Sequence, residues 1–335
     1  MKKLLLSAAV LLAVAGCKDD STAAQNAQKS KYPDTTIGFM MGVDAPGSNF
    51  YDIVTQTLHK IEADNPNLKV LEYNAKSDAA KQREQIEEAI NKGAKALVIN
   101  LVDFSEKGAA DIVNLVCHSK DKIPAVYFDL TPGDRNLAKC ETAYFVGTDN
   151  ARVGTAQGMQ ILKAFNEGNM DKNGDDTVQY VLIEGVPGTE VMRDRSSWVI
   201  RTIENYPNIG KKAEEIFRAP ANNDENKAYE LISQWSDDER FKEVEVVIVN
   251  NDAMALGALR ALKEKGLQLP VYGIDGTAQG TKELAGTTPA GIGEVVKVSM
   301  RVATNLATGH KADENVNVQV DNKVIKIAPY SDEDK

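Results

Sequence analysis

The chain has 335 residues, with 39 basic and 49 acidic side chains, a formal net charge of −10 and 42% hydrophobic residues. That length suits two domains of ordinary size. An acidic chain with no clustered basic face excludes nucleic acid as a partner and gives anionic lipid nothing to attract.

In chain order, Lys2 and Lys3 precede a mostly apolar run from Leu4 to Ala13, and "VAGC" (Val14–Cys17) closes it with small residues before a cysteine. Such a run is too short to span a bilayer, so residues 1–17 read as a cleaved export signal. The small-small-Cys ending resembles a bacterial lipobox and makes Cys17 the expected lipidation site; an ordinary signal cleaved elsewhere is the alternative. Residues 18–34, polar and rich in Ala, Ser and Gln, read as a tether. Cys117 and Cys140 then remain. An even pair in an oxidising compartment reads as a disulfide, with two buried free thiols as the alternative.

"TTIGFMMG" (Thr35–Gly42), "LKVLEYN" (Leu68–Asn74), "ALVINLVD" (Ala96–Asp103) and "PAVYFDL" (Pro124–Leu130) are short strand-like runs separated by helical spacing, one helix capped by Ser77 or Asp78. The pattern restarts at "AYFVG" (Ala143–Gly147). It continues through "VQYVLIEG", a helix over 190–204, "EEIFRA", a helix over 224–235, "VEVVIVN", a helix over 252–265 and "PVYGID". Short apolar strands buried on both faces and alternating with helices predict an α/β fold of two doubly wound parallel-sheet domains. Ligands of such sheets sit beyond the carboxyl ends of the strands. Polar residues recur there: Asn100, Asp129, Glu184, Asn250 with Asn251, and Asp275. Any one of them reads as a turn or cap residue; five in register predict a shared cleft.

No G-x-G-x-x-G or G-x-x-x-x-G-K-[ST] follows a strand, and no G-x-S-x-G elbow occurs. His59, His118 and His310 fall separately on predicted helices or their ends, which argues against a zinc centre or a histidine base. "GNMDKNGDDTVQYVLIEG" (168–185) opens like a calcium loop, with alternating Asn169, Asp171 and Asn173 before Gly174. Position twelve is Tyr180, where an EF-hand needs a bidentate glutamate.

"EQIEEAINKGAKALVINLVD", "AYFVGTD", "VEVVIVNNDAMALGALRALK", "VDNKVIKIAPY" and the half EF-hand before a strand resemble, in order, the periplasmic galactose/glucose-binding family, soluble receptors of ATP-driven (ABC) importers. The likeness runs from Thr35 to Tyr330. It implies a type I periplasmic binding protein with a hinge crossed more than once. Residues 35–130 plus about 295–312 would form the N-terminal domain, and 131–294 plus about 313–330 the C-terminal one. It implies structural calcium held by Asn169, Asp171, Asn173, the Asp175 carbonyl, Gln179 and bidentate Glu245, with Asp176 or Thr177 as substitutes for Gln179 because "DDT" lengthens the loop. It also implies ligand contacts from Asn49, Phe50, Asn100, Arg195, Asn251 and Asp275, with Asp129, Thr189 and Asn223 as further candidates. Phe50 would stack on a sugar ring, and Arg195 would fork onto two hydroxyls. The chain departs from the family at Ser48, Thr189, Val191 and Asn223, where an Asp, a His, an Asp and a stacking Trp are usual. The segment "TTPAGIGEVVKVSM" is also shorter.

The expected protein is therefore a monomeric, non-enzymatic lipoprotein of the periplasm or cell envelope. It captures glucose, galactose, another sugar or another small polar solute and presents it to a permease or a chemoreceptor. An exported sugar-acting enzyme, needing two carboxylates about one bond, and the sensor half of a sugar-responsive repressor are the competing readings.

Overall fold

A computed structural model of the chain describes residues 32–42, 49–168, 170–316, 318 and 320–329. The signal, Cys17 and nearly all of the tether lie outside the described residues, as does Asn169. Among the described residues no helix is long and apolar enough to cross a membrane.

Strands β1 (Thr35–Met41), β2 (Leu68–Asn74), β3 (Ala96–Ile99), β4 (Ala125–Phe128) and β5 (Ala143–Thr148) alternate with α1 (Asn49–Asp64), α2 (Ala79–Asn91), α3 (Glu106–Cys117) and the short α4 (Asp134–Ala138). The second series is α5 (Asn150–Asn166), β6 (Thr177–Glu184), α6 (Glu190–Asn205), β7 (Lys212–Pro220), α7 (Glu225–Trp235), β8 (Val246–Val249), α8 (Asp252–Glu264), β9 (Val271–Asp275), α9 (Ala278–Glu283) and β10 (Gly286–Pro289). The chain ends with α10 (Ile292–Ala307), β11 (Val320–Asp321) and β12 (Val324–Ile327).

Two sheets result, ordered β11-β12-β5-β4-β3-β1-β2 and β10-β9-β8-β6-β7. All pairings are parallel except β11 with β12. Alternation explains why both faces need helices. Phe39, Val98 and Val126 point to the face covered by α1 and α10, while Met40, Leu97 and Tyr127 point to the face covered by α2 and α3. Each fully buried aliphatic or aromatic side chain contributes ~1.5–3 kcal/mol. Asp78, not Ser77, caps α2, its carboxylate accepting from the Ala80 and Lys81 N–H groups.

Two expectations about the domain split need correction. The strand at Ala143, read as the start of the second unit, pairs with β4 in the first sheet. The short α4 connection carries the chain only to the neighbouring strand, and the crossing to the second lobe comes one element later, between β5 and α5. The segment 313–330, expected in the second lobe, instead adds β12 alongside β5, with the Asp149 N–H bonded to the Ile327 carbonyl. Among the described residues the chain thus crosses between lobes twice, after Thr148 and after Pro289. The Thr148 hydroxyl donates to the Ala290 carbonyl at 2.7 Å and holds the two crossings side by side. Nearby, Lys326 on β12 reaches Glu190 on α6 at 2.6 Å, an ion pair between lobes.

Cys117, at the end of α3, and Cys140, just ahead of β5, form a disulfide with Cα atoms 5.8 Å apart. Closing a loop of this length contributes about 3 kcal/mol in the chain-entropy account. Thiol titration of the unfolded, unreduced protein is expected to find neither cysteine free; two reactive thiols would contradict the pairing.

Helices α5 and α6 touch almost backbone to backbone. A Cβ on Gly154 would lie 2.7 Å from the Arg195 carbonyl, and one on Gly158 would lie 2.8 Å from the Val199 carbonyl. This close seat fixes the height of α6, which carries Arg195 toward the interlobe space.

Candidate functional site

The carboxyl ends of both sheets face one cavity of about 470 Å³. The first lobe contributes Phe50, Asn100, Phe104, Asp129 and Leu130; the second contributes Val186, Thr189, Arg195, Asn223, Asn251 and Asp275. Every ligand residue expected from the sequence lines this space except Asn49. That residue opens α1, and its side chain lies outside the described residues.

Arg195 is the best-held of them, 5% exposed. Its Nε donates to Asn150 Oδ1 at 2.9 Å, and its Nη1 donates to the Asn250 carbonyl at 2.7 Å and to Asp275 Oδ1 at 3.4 Å. Three partners on three elements leave the guanidinium one orientation, with its remaining N–H groups available to a ligand.

Asp129 follows β4 and Asp275 ends β9, with φ of 64° and 128°. Non-glycine residues in this region cost ~1–3 kcal/mol each and cluster at functional sites. Burial pushes the Asp129 carboxyl up to about 6, with Arg195 and a hydrogen bond from Asn100 pulling the other way. The Asp275 carboxyl is pushed up to about 7, mainly by burial, with Asp252 and Asp129 adding and Arg195 opposing. Behind Asp275, fully buried Asp252 accepts from the Thr277 N–H and from the Thr277 and Thr287 hydroxyls, fixing the loop after β9.

Several expected contacts have other work. Asn100 lines the cavity, yet its Nδ2 donates to the Phe128 carbonyl and its Oδ1 accepts from the Gly42 N–H, tying three strand ends together. Thr189 caps α6, accepting from the Met192 N–H. Asn251 caps α8 and donates to Asn223 Oδ1 at 3.2 Å. Glu184 is turned away from the cavity toward Arg218 at 2.5 Å. The sequence reading missed Phe104, a second aromatic wall in the loop after β3, and Asn150, the partner of Arg195. A polar residue just past β5 was the available signal for Asn150.

In the loop before β6, Asp171 accepts from the Gly174 and Asp176 N–H groups, and Asn173 Oδ1 accepts from the Asp175 N–H. Asp175 takes the Gln179 amide at 2.8 Å. Asp176 turns out to Lys211, and the Thr177 hydroxyl donates to the Asp175 carbonyl. Glu245, 1% exposed, lies against the loop and accepts from the Lys172 and Gln179 N–H groups. Burial raises the Glu245 carboxyl, and Asp171 and Asp175 add to the rise. The acidic side chains are not drawn onto one point. Among the described residues the group of three close enough to share an ion is His59, Glu62 and Glu72, so His59 is not isolated as expected. The loop's donors nevertheless fit calcium in kind: all are hard oxygens, and Gln179 Oε1 is buried with no hydrogen-bond partner.

Two α/β lobes, joined by paired crossings and meeting over one polar and aromatic cavity, define a two-domain solute receptor. Residues 37–310 match the periplasmic binding protein domain model, and the chain belongs to that family. A D-galactose/methyl-galactoside binding periplasmic protein from Haemophilus influenzae is 32% identical over 293 residues, covering 86% of each chain. A ribose import binding protein from Bacillus subtilis is 24% identical, covering 94% of this chain and 97% of its own. The structure of an ABC transporter solute binding protein from Bacillus halodurans with bound myo-inositol aligns with a TM-score of 0.70 at 23% identity, over 89% of this chain and 94% of that one.

Proposed function

We propose that the protein captures a neutral sugar or a closely related polyhydroxylated solute between its lobes and hands it to an ABC importer. The observation that carries this reading is Arg195, locked by Asn150, Asn250 and Asp275 and sharing the cavity with Asp129 from the other lobe. Fixed guanidinium and carboxylate groups beside Phe50 and Phe104 suit hydroxyl edges and C–H faces together. The relatives named for galactose and ribose support the same class. Contacts from both lobes exist together only when the cleft is closed, so ligand shifts the hinge equilibrium toward closure.

Native mass spectrometry of the protein as purified, followed by calorimetry with hexoses, pentoses and polyols, tests this. The charged cavity-lining residues are Asp129, Asp224, Asp275 and Arg195, an acidic balance that repels anions. Hexuronic acids are expected to bind at least tenfold more weakly than the matching hexoses. A uronate that binds as well as its hexose would overturn the charge argument. Because carboxylates from both lobes share the cavity, nitrophenyl glycosides serve as the check on a hydrolytic role; the receptor reading requires no turnover.

The proposal extends to a lipid anchor at Cys17 on a bacterial membrane, with a chemoreceptor as a second docking partner. Cys17→Ala should move the protein from the membrane fraction to the soluble envelope fraction. Calcium is proposed for the loop, held by Asp171, Asn173, the Asp175 carbonyl, Gln179 and Glu245, with Asn169 completing the set. Calcium supplies a fixed positive charge there, and a cation bound to the native state alone raises stability with its concentration. Melting of the parent should rise with calcium and fall with chelator, and Glu245→Ala should abolish the dependence. A parent melting point unmoved by chelator would make the loop a plain turn.

A further inference from the structure

Beside the main cavity lies a second chamber of about 400 Å³ that shares Phe104, Leu130 and Thr189 with it. One wall is the stretch after β4, with Thr131 and Gly133; the other is the start of α6, with Gly188 and Arg193. Gly133 and Gly188, one from each lobe, have φ of 84° and 83°, and a Cβ on either would meet nothing within 4 Å. Neither glycine therefore narrows the space with a side chain of its own. The main cavity runs toward the same place. The two spaces meet at Thr189, which lines both.

The lining of the second chamber fixes the chemistry of what enters. Thr131, Glu190 and Arg193 supply polar groups, with Glu190 also paired with Lys326 and the Arg193 Nε donating to Asp194. The Asn136 amide is taken up by the Glu106 and Pro132 carbonyls, and Glu106 pairs with Arg135 at 2.9 Å on the solvent side. A hydroxylated group fits such walls; an apolar aglycone would strip water from charges with no compensation.

We propose that the second chamber is a subsite for a second sugar unit, so that the preferred solute is a disaccharide rather than a free monosaccharide. This rests on the sugar reading of the main cavity. Its test is calorimetry of the full chain with galactose, glucose, their methyl glycosides, and α- and β-linked galactosyl and glucosyl disaccharides, on the parent, Thr131→Trp and Arg193→Ala. At least one disaccharide should bind tenfold or more tightly than its component monosaccharides. Thr131→Trp, which fills the chamber, should remove that advantage while leaving monosaccharide binding unchanged, which also shows that the variant is folded. Arg193→Ala should reduce the advantage several-fold without touching monosaccharide binding. Monosaccharides that bind while every disaccharide is weaker would overturn the subsite and leave the sugar reading standing. A loss in Thr131→Trp shared equally by both ligand classes would also overturn it. Failure of every sugar to bind the parent would overturn the sugar reading and the subsite with it.

Discussion

Arg195→Ala is expected to lower affinity for the native solute at least a hundredfold, about 2.7 kcal/mol. The side chain is buried and holds three groups that have no other cation: Asn150 Oδ1, the Asn250 carbonyl and Asp275 Oδ1. Truncation strands all three. Leaving a buried charge unpaired costs ~3–5 kcal/mol, so the variant should also melt earlier. The ligand loses its fixed fork, and Asp275 loses the charge that opposes its protonation. Arg195→Lys separates charge from geometry: an ammonium keeps the positive charge but cannot span Asn150, the Asn250 carbonyl and a ligand edge at once. It should recover part of the stability and little of the affinity. Calorimetry and thermal melts on both variants measure this. Unaltered binding in Arg195→Ala would place the solute elsewhere.

Asp275→Asn is expected to stabilise the ligand-free protein at pH 8 and to lose that advantage near pH 4. In the fold, burial pushes the Asp275 carboxyl up to about 7 from the ordinary aspartate value of 3.8. Between those values the native state keeps a proton that the unfolded chain releases. The protonated group's contribution to stability is therefore fully present below about pH 4 and disappears as pH rises through about 7. The loss amounts to on the order of 4 kcal/mol at about 1.4 kcal/mol per pKa unit. Asparagine keeps the shape and carries no charge to bury. The melting-point difference, variant minus parent, should climb from pH 4 to pH 8, and a flat difference would show that the carboxylate is not destabilising. Asp275→Asn should at the same time weaken solute binding, because the amide is a poorer acceptor for hydroxyls than the carboxylate. The fold would then carry an unfavourable charge at a position where the solute needs it.

Much of this architecture was legible because most strands of the two sheets are short apolar runs buried on both faces, as in β3, β4, β6 and β8. A cap such as Asp78 marks the helix between strands. What could not be read was sheet membership. Ala143–Thr148 is as apolar as any strand of either lobe, and nothing in its composition says that it hydrogen-bonds β4. The two-residue β11 and the edge strand β12 carry too little pattern to place. In the site, Asp275 was legible as a polar strand end and Arg195 through the family resemblance. Asn150 was hidden by the misplaced lobe boundary, and Asn250 acts on Arg195 through a backbone carbonyl that no side-chain pattern reveals. Phe104 sits in a loop, where an aromatic reads equally as local packing. Asn100, Thr189 and Asn251 were expected as ligand contacts and prove to be capping or strand-end residues as well. At a strand's carboxyl end both roles call for the same short polar side chain.

The two lobes are not equivalent in how the chain reaches them. From α5 to β10 the second lobe is one uninterrupted stretch. The first lobe is split: its face bearing Phe39, Val98 and Val126 is covered by α10, and its sheet is completed by β12, both encoded after the whole second lobe. A chain emerging from its N-terminus therefore exposes the apolar strands of the first lobe while more than a hundred residues follow, on the order of ten seconds at ~5–20 residues per second. The second lobe closes first although it is made later. The earlier half stays aggregation-prone until α10 arrives to cover it.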